Sequence, residues 1–247
     1  MRNRVLMLLA AVFCSAASGS VFAADMSVPR LTPPPFIYNW SGFYLGAHIG
    51  YGWDNRDAEI FDSGGVSLVS GSTQGSRILG GAQIGLNFAV APQWIVGIEA
   101  DYSGTNMGST AVGGPGFGQR VNNIDSFGTV RARVGYAWDR FLVFGSGGFG
   151  WAHEVLTRTQ QIGTVNNAIP GTIEEVGATV PGWSAGLGFE WGVSPGWALR
   201  AEYLHLDLTS KDFAFLAAGQ SIQSTARIDA VRLGVNYIFN VGGPRSY

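Results

Sequence analysis

Between residues 42 and 53 the chain reads GFYLGAHIGYGW, where Phe43, Leu45, Ala47, Ile49, Tyr51 and Trp53 alternate with Gly42, Tyr44, Gly46, His48, Gly50 and Gly52. A period of two is the pattern of a β-strand, whose successive side chains point to opposite faces. The rhythm returns over 77–90, 94–103, 124–138, 141–152, 182–193, 197–207 and 228–239, so eight strands are predicted. Each carries one face of large apolar residues, such as Ile78, Ile84, Leu86 and Phe88, or Trp183, Leu187, Phe189 and Trp191. In the fifth segment alternation is weaker, and Phe141, Val143, Phe149 and Trp151 are assigned to that face.

The connections fall into two kinds that alternate along the chain. Residues 91–93, 139–140 and 194–196 are tight turns, whereas 54–76, 104–123, 153–181 and 208–227 read as long, polar, Gly-rich loops. Short turns at one rim and long loops at the other are the mark of an outer-membrane β-barrel, with the turns periplasmic and the loops extracellular. The tryptophans agree, since Trp53, Trp94, Trp138, Trp151, Trp183, Trp191 and Trp197 all fall at predicted strand ends, as an aromatic girdle requires.

Composition strengthens this picture. The chain is 46% hydrophobic and 13% aromatic with 37 glycines, yet only 13% charged, well below the quarter or so usual in water-soluble domains. No run of about 18 apolar residues occurs, which excludes a helical span. The faces opposite the apolar ones carry Glu99, Asp101, Arg131, Arg133, Glu190, Arg200, Glu202 and Arg232, four acids and four bases, together with Gln83 and Asn87. Toward lipid each charge would cost about 2–4 kcal/mol near the midplane; inside and paired they are satisfied. The large apolar face is therefore assigned to lipid and the glycine-rich face to a narrow interior. Glu99 and Arg133 each stand five residues from Trp94 and Trp138, and Asp101 and Arg131 seven, which predicts Glu99–Arg133 and Asp101–Arg131 as neighbours.

At the start, Arg2 and Arg4 precede the apolar run Val5–Phe13, and small residues lead to Ala23, the pattern of a signal peptide cleaved after residue 23. Cys14 lies within it, so the mature chain is expected to carry no thiol. Without those arginines, 13 basic residues face 17 acidic ones, which gives no electrostatic reason for nucleic-acid binding. Residues 24–41 form a Pro-rich lead segment, read as an extended tether. The barrel is assigned to 42–239 and a short C-terminal extension to 240–247.

The lead into NWSGFYLGAHIGYGW, together with GAQIGLNF, FGSGGFGW, AEYLHLDL and the closing VRLGVNYIF, resembles the small outer-membrane surface-antigen barrels of alphaproteobacteria, within the wider OmpA-like and opacity-type class. The likeness spans essentially the whole mature chain. It implies an eight-stranded antiparallel barrel of the outer membrane that supports envelope integrity. The partners it implies are outer-membrane lipid and lipopolysaccharide, the barrel-assembly machinery through the last strand, and surface ligands or host factors. Some members are reported to bind hemin. One departure is that such chains usually stop at the aromatic residue closing the last strand, whereas NVGGPRSY follows Phe239 here.

Other motifs weaken on inspection. GSGGFG at 145–150 opens no helix and so is not a phosphate loop, and His153 lacks a second histidine at metalloprotease spacing. No metal site is expected. His48 points to the lumen as a polar filler; His153 and His205 stand near the outer rim and are the candidate hemin ligands, on the strength of the resemblance. Ser184, Glu190 and His205 do not gather into a catalytic set by spacing, so no enzyme is expected. The favoured function is structural and surface-interacting, with the lumen closed by paired charges; a small porin or a hemin-binding uptake receptor is the alternative.

Overall fold

The computed structural model describes residues 38–62, 64–112, 119–159, 171, 173–215 and 220–239. The signal peptide with Cys14, the lead segment up to residue 37 and the extension 240–247 lie outside the described residues. Among the described residues nine strands form one antiparallel sheet: β1 (Gly42–Phe61), β2 (Ser67–Ala89), β3 (Trp94–Val112), β4 (Gln119–Trp138), β5 (Phe141–Thr159), β6 (Ile173–Ser194), β7 (Trp197–Leu208), β8 (Lys211–Phe215) and β9 (Gln220–Phe239). Pairing of β1 with β9 closes a ring of eight, and β8 lies beside β9 above the point where β7 ends.

The strands run well beyond their expected limits. Much of 54–76, 104–123, 153–181 and 208–227, expected as loop, continues as strand. The periodicity persists there, but its sense inverts, so the apolar-out alternation stops at the girdle. Trp53, Trp151 and Trp183 accordingly lie inside β1, β5 and β6, not at their ends. They mark a height on the wall where the outward face changes from apolar to polar.

Below that height the outward side chains are large, apolar and exposed, Ile78 at 69%, Leu187 at 64% and Ile49 at 62% among them. Phe141, Val143, Phe149 and Trp151 of β5 belong to this band as expected. Its short-turn rim is edged by ring contacts such as Trp94–Tyr136 at 5.4 Å and Trp197–Tyr237 at 5.0 Å, and its upper rim by Phe149–Trp151 at 5.9 Å. An exposed apolar belt between two aromatic girdles is a lipid-facing surface.

Above the girdle the ring opens. The β2–β3 ladder ends at Gly80–Gly104 and the β6–β7 ladder at Gly182–Leu208. The β7–β9 ladder ends at Asp207–Arg227, where β8 takes the place of β7, and the other ladders continue, which leaves two four-stranded sheets, β2-β1-β9-β8 and β3-β4-β5-β6. Their inner faces bury Ile60, Leu79, Phe213, Phe215 and Ile222 from one sheet and Met107, Ile124, Phe127 and Leu156 from the other, with Leu204, Leu206 and Leu208 of β7 beneath. The outer portion is thus built like a water-soluble sandwich.

Candidate functional site: the barrel interior

Three layers fill the interior. At the short-turn mouth, Tyr38, Trp40, Tyr44, Ile95, Ala137, Leu142, Ala198 and Ile238 form an apolar cluster. Tyr38 and Trp40, which the sequence leaves in the tether, are buried there with ring centroids 4.4 Å apart. Gly42, at φ 138°, turns the chain from this plug into β1 in a region that favours glycine. Gly192 provides the seat: a Cβ there would stand 2.3 Å from the Tyr38 ring.

The middle layer gathers all eight charged residues singled out by alternation, each no more than 5% exposed. Arg131 reaches three carboxylates, Glu99 at 2.8 Å, Asp101 at 3.0 Å and Glu202 at 2.7 Å. Arg133 binds Glu190 at 2.9 Å and lies 3.5 Å from Glu99. Arg200 contacts Glu99 through both terminal nitrogens and Glu202 at 2.9 Å. Arg232 joins Asp101 at 2.7 Å to Glu202 at 2.5 Å. Planar guanidinium forks with up to five donors allow such many-to-many pairing, which isolated ion pairs cannot match.

Both expected contacts form, Asp101–Arg131 at 3.0 Å and Glu99–Arg133 at 3.5 Å, but on a ladder two residues away from the expected register. Glu99 stands opposite Arg131, and Arg133 opposite Gly97, because Trp94 pairs with Tyr136 and not with Trp138. Trp138 belongs instead to the β4–β5 hairpin, opposite Phe141. Arg133 still reaches Glu99 diagonally, so the set of residues was legible where the register was not.

Several members carry no charge and were missed. The Tyr44 hydroxyl binds Glu99 at 2.5 Å and accepts from Arg133 at 2.9 Å. The Phe144 ring lies beneath two cations, with Arg133 Cζ at 4.1 Å and Arg200 Cζ at 4.7 Å from its centroid. Their signal is in the glycines across the ladder. Tyr44 pairs with Gly85 and Phe144 with Gly188, and a Cβ at either glycine would come 2.3 Å from the ring opposite. The glycine-rich face is space into which large inward side chains fold.

His48 belongs to a neutral branch. Its Nδ1 lies 2.6 Å from Gln83 Oε1 and its Nε2 2.8 Å from Ser103 Oγ; Gln83 in turn donates to Asn236 Oδ1 at 2.7 Å. Beside it, His48, Gln83, Arg200, Glu202, Arg232 and Gly234 enclose a cavity of about 10 Å³, room for about one water.

The third layer is the sandwich core. At its base Arg56 Nε lies 2.6 Å from Asp54, and its Nη2 donates to the Met107 carbonyl at 2.9 Å. Asp54, Arg56 and Glu154 are all buried, so one cation faces two acids. They stand above the girdle, and burial raises both carboxyls above their ordinary values, with Arg56 opposing the rise.

The remaining candidates do not converge. Ser184 faces inward, 3.4 Å from the carbonyls of Gly148 and Phe149, while His205 faces outward. His153 and His205 both lie on the outer surface, but their β6 partners, Thr179 and Ala185, are six residues apart, about 20 Å along the strand. No cluster of three or more metal-ligating side chains occurs among the described residues.

A ring of eight strands, lipid-facing outside and packed with paired charges within, defines a membrane β-barrel of the small class. The outer membrane protein β-barrel domain family matches residues 7–239, and the chain belongs to that family. It is 32% identical over 247 residues to the 31 kDa outer-membrane immunogenic protein of Brucella melitensis biotype 1, covering 97% of this chain and 100% of the relative. It is 27% identical to the 22 kDa outer membrane protein of Rhizobium leguminosarum bv. viciae, across 71% of this chain and 67% of that one. The outer membrane protein OprG of Pseudomonas aeruginosa has a similar fold, at a TM-score of 0.50 and 10% identity, covering 81% of this chain and 97% of that one. The protein is an outer-membrane β-barrel.

Proposed function

We propose that this protein is a non-conducting structural barrel, without enzymatic activity, that anchors a two-sheet head at the cell surface with the long-loop end outward. The observation that carries this reading is the middle layer. Every one of its eight charges is buried and paired, and apolar clusters lie directly above and below it. An ion entering the lumen would have to separate paired charges in a low-dielectric setting, at a cost of several kcal/mol for each ion uncovered. An eight-stranded barrel is just wide enough to be filled by its own side chains.

Planar-bilayer recordings test the reading. The unmodified protein is expected to show very small or no steady conductance, and replacement of Glu99 and Arg133 together by small side chains is expected to raise it. Large, stable, frequent openings of the unmodified protein would favour the porin alternative, and a saturable hemin titration would favour the uptake receptor. Protease added to intact cells is expected to cut within 153–181 and to spare the segment before Trp40; the reverse pattern would invert the orientation.

A further inference from the structure

We propose that one proton, shared by Asp54 and Glu154, latches the two sheets of the head by holding Arg56 on the Met107 carbonyl, and that its loss parts the seam between β2 and β3. The inference concerns the two-sheet head and is independent of whether the lumen conducts.

Above Gly80–Gly104 no ladder joins β2 to β3 among the described residues, and two side-chain hydrogen bonds link the sheets on that side. Thr105 Oγ1 donates to the Ile78 carbonyl at 3.4 Å on the exposed rim. Arg56, reaching over from β1, donates through Nη2 to the Met107 carbonyl of β3 at 2.9 Å and is buried. Met107, Ile124 and Glu154 form one row across β3, β4 and β5, and both ladders slip beside it, between Gly104 and Met107 and between Ile124 and Ser126. Bulges of this kind end pairing and re-aim side chains. The opposite seam is held without charge, by Thr209, whose amide and hydroxyl donate to the Pro181 carbonyl at 2.9 and 3.0 Å.

Charge does not balance at this row. Arg56 Nε lies 2.6 Å from Asp54 Oδ2, but Arg56 Nη1 and Asp54 Oδ1 have no hydrogen-bond partner among the described residues. Glu154 is buried between Ala152 and Leu156 of the apolar core and makes no hydrogen bond or ion pair with a described residue. The charged groups that face it are Arg56 and Asp54 of β1. Around it β3, β4, β6 and β9 present Met107, Ile124, Ala178 and Ile228; Arg77 of β2 is exposed, and the Arg158–Glu174 pair stands two steps higher. With one proton on the two carboxyls the cluster is neutral. Without it a negative charge is left among apolar side chains, which burial opposes. Burial raises both carboxyls, against the pull of Arg56, so the proton is held above the ordinary carboxylate range. Once it leaves, the guanidinium serves both carboxylates by turning its unused Nη1 toward Glu154, and that turn takes Nη2 off Met107. Gly75 gives the proton its path. With Asp54 it lines an outer cleft of about 390 Å³, and a Cβ on Gly75 would stand 2.6 Å from Asp54 Oδ1.

Amide exchange of the refolded protein in detergent micelles, corrected for the intrinsic effect of pH, tests the latch from about pH 4 to about pH 8. Protection of 69–79 in β2 and 105–112 in β3 is expected to fall about tenfold as the proton leaves, with 173–181 and 211–215 at the opposite seam unchanged. Glu154→Gln keeps the shape and removes the titration, and is expected to hold the seam closed across the whole range. Arg56→Met is expected to leave it open throughout. Protection of the unmodified protein that does not change with pH would overturn the proposal, as would an equal loss at both seams or a loss in Glu154→Gln matching the parent's. Should the variants fail to refold, infrared spectra of the unmodified protein decide. A protonated-carboxyl band that outlasts the ionisation of the exposed acids is expected to vanish over the interval in which seam protection falls, and its absence overturns the latch.

Discussion

The two halves of this barrel obey one rule with opposite results. Along β9, Leu233 and Val231 face outward and are exposed while Arg232 is buried; higher on the same strand Ile222 and Ile228 are buried while Thr225 and Gln223 lie at the surface. The backbone period is unchanged, but the surroundings pass from lipid to water. Below the girdle the outside must be apolar, and the inside takes polar groups, provided that they are paired. Above it the outside is solvated and the apolar residues move in, as in a soluble sandwich. The ring also opens at this boundary. In lipid an unpaired strand edge is prohibitive, whereas in water the edges of β2, β3, β6 and β8 can be solvated.

Four experiments would break or sharpen this contrast. The largest effect is expected from Arg131→Ala, which takes from three buried carboxylates a cation they share and leaves four acids to three bases: a loss of about 3–5 kcal/mol, read as a lower urea midpoint of the refolded barrel. An unchanged midpoint would remove the network as the organising element of the lower half. Leu206→Ala, in the apolar core above, is expected to cost about 3 kcal/mol through the cavity it leaves. Its signature should be faster amide exchange in the two outer sheets with the lower wall still protected, and uniform acceleration would mean that the halves are not separable.

A charge moved across the boundary comes next. Leu233→Arg, on the lipid face, is expected to cost about 2–3 kcal/mol in bilayers, whereas Thr225→Arg, on the solvated face, should lie within about 0.5 kcal/mol of the parent. Equal costs would contradict the assignment of the girdle height. The smallest effect concerns pH. Burial raises the Glu154 carboxyl above its ordinary value near 4.5, so the folded head binds more protons than the unfolded chain as pH rises through that value. The head should therefore lose stability as pH climbs from about 4.5 through the raised value, and Glu154→Gln should flatten that slope in thermal melts followed by near-UV dichroism. A slope unchanged in the variant would assign the dependence to another group.

Alternation alone determined a good deal: the antiparallel ring, the short-turn rim, the lipid face from Phe43 to Phe239 and the eight inward charges. These follow from nearest-neighbour geometry, because a strand puts every second residue on one side whatever it pairs with. What only the tertiary structure decided depends on residues meeting across distance. The register that sets Glu99 against Arg131, the Tyr44 and Phe144 side chains folded over Gly85 and Gly188, and Tyr38 seated on Gly192 are all cross-strand facts. So is the division into two sheets, since a strand's own sequence records its period but not which neighbour its ladder keeps. The inversion above Trp53 stood in the sequence as well, but apolar-in and apolar-out read alike until something fixes where the membrane ends.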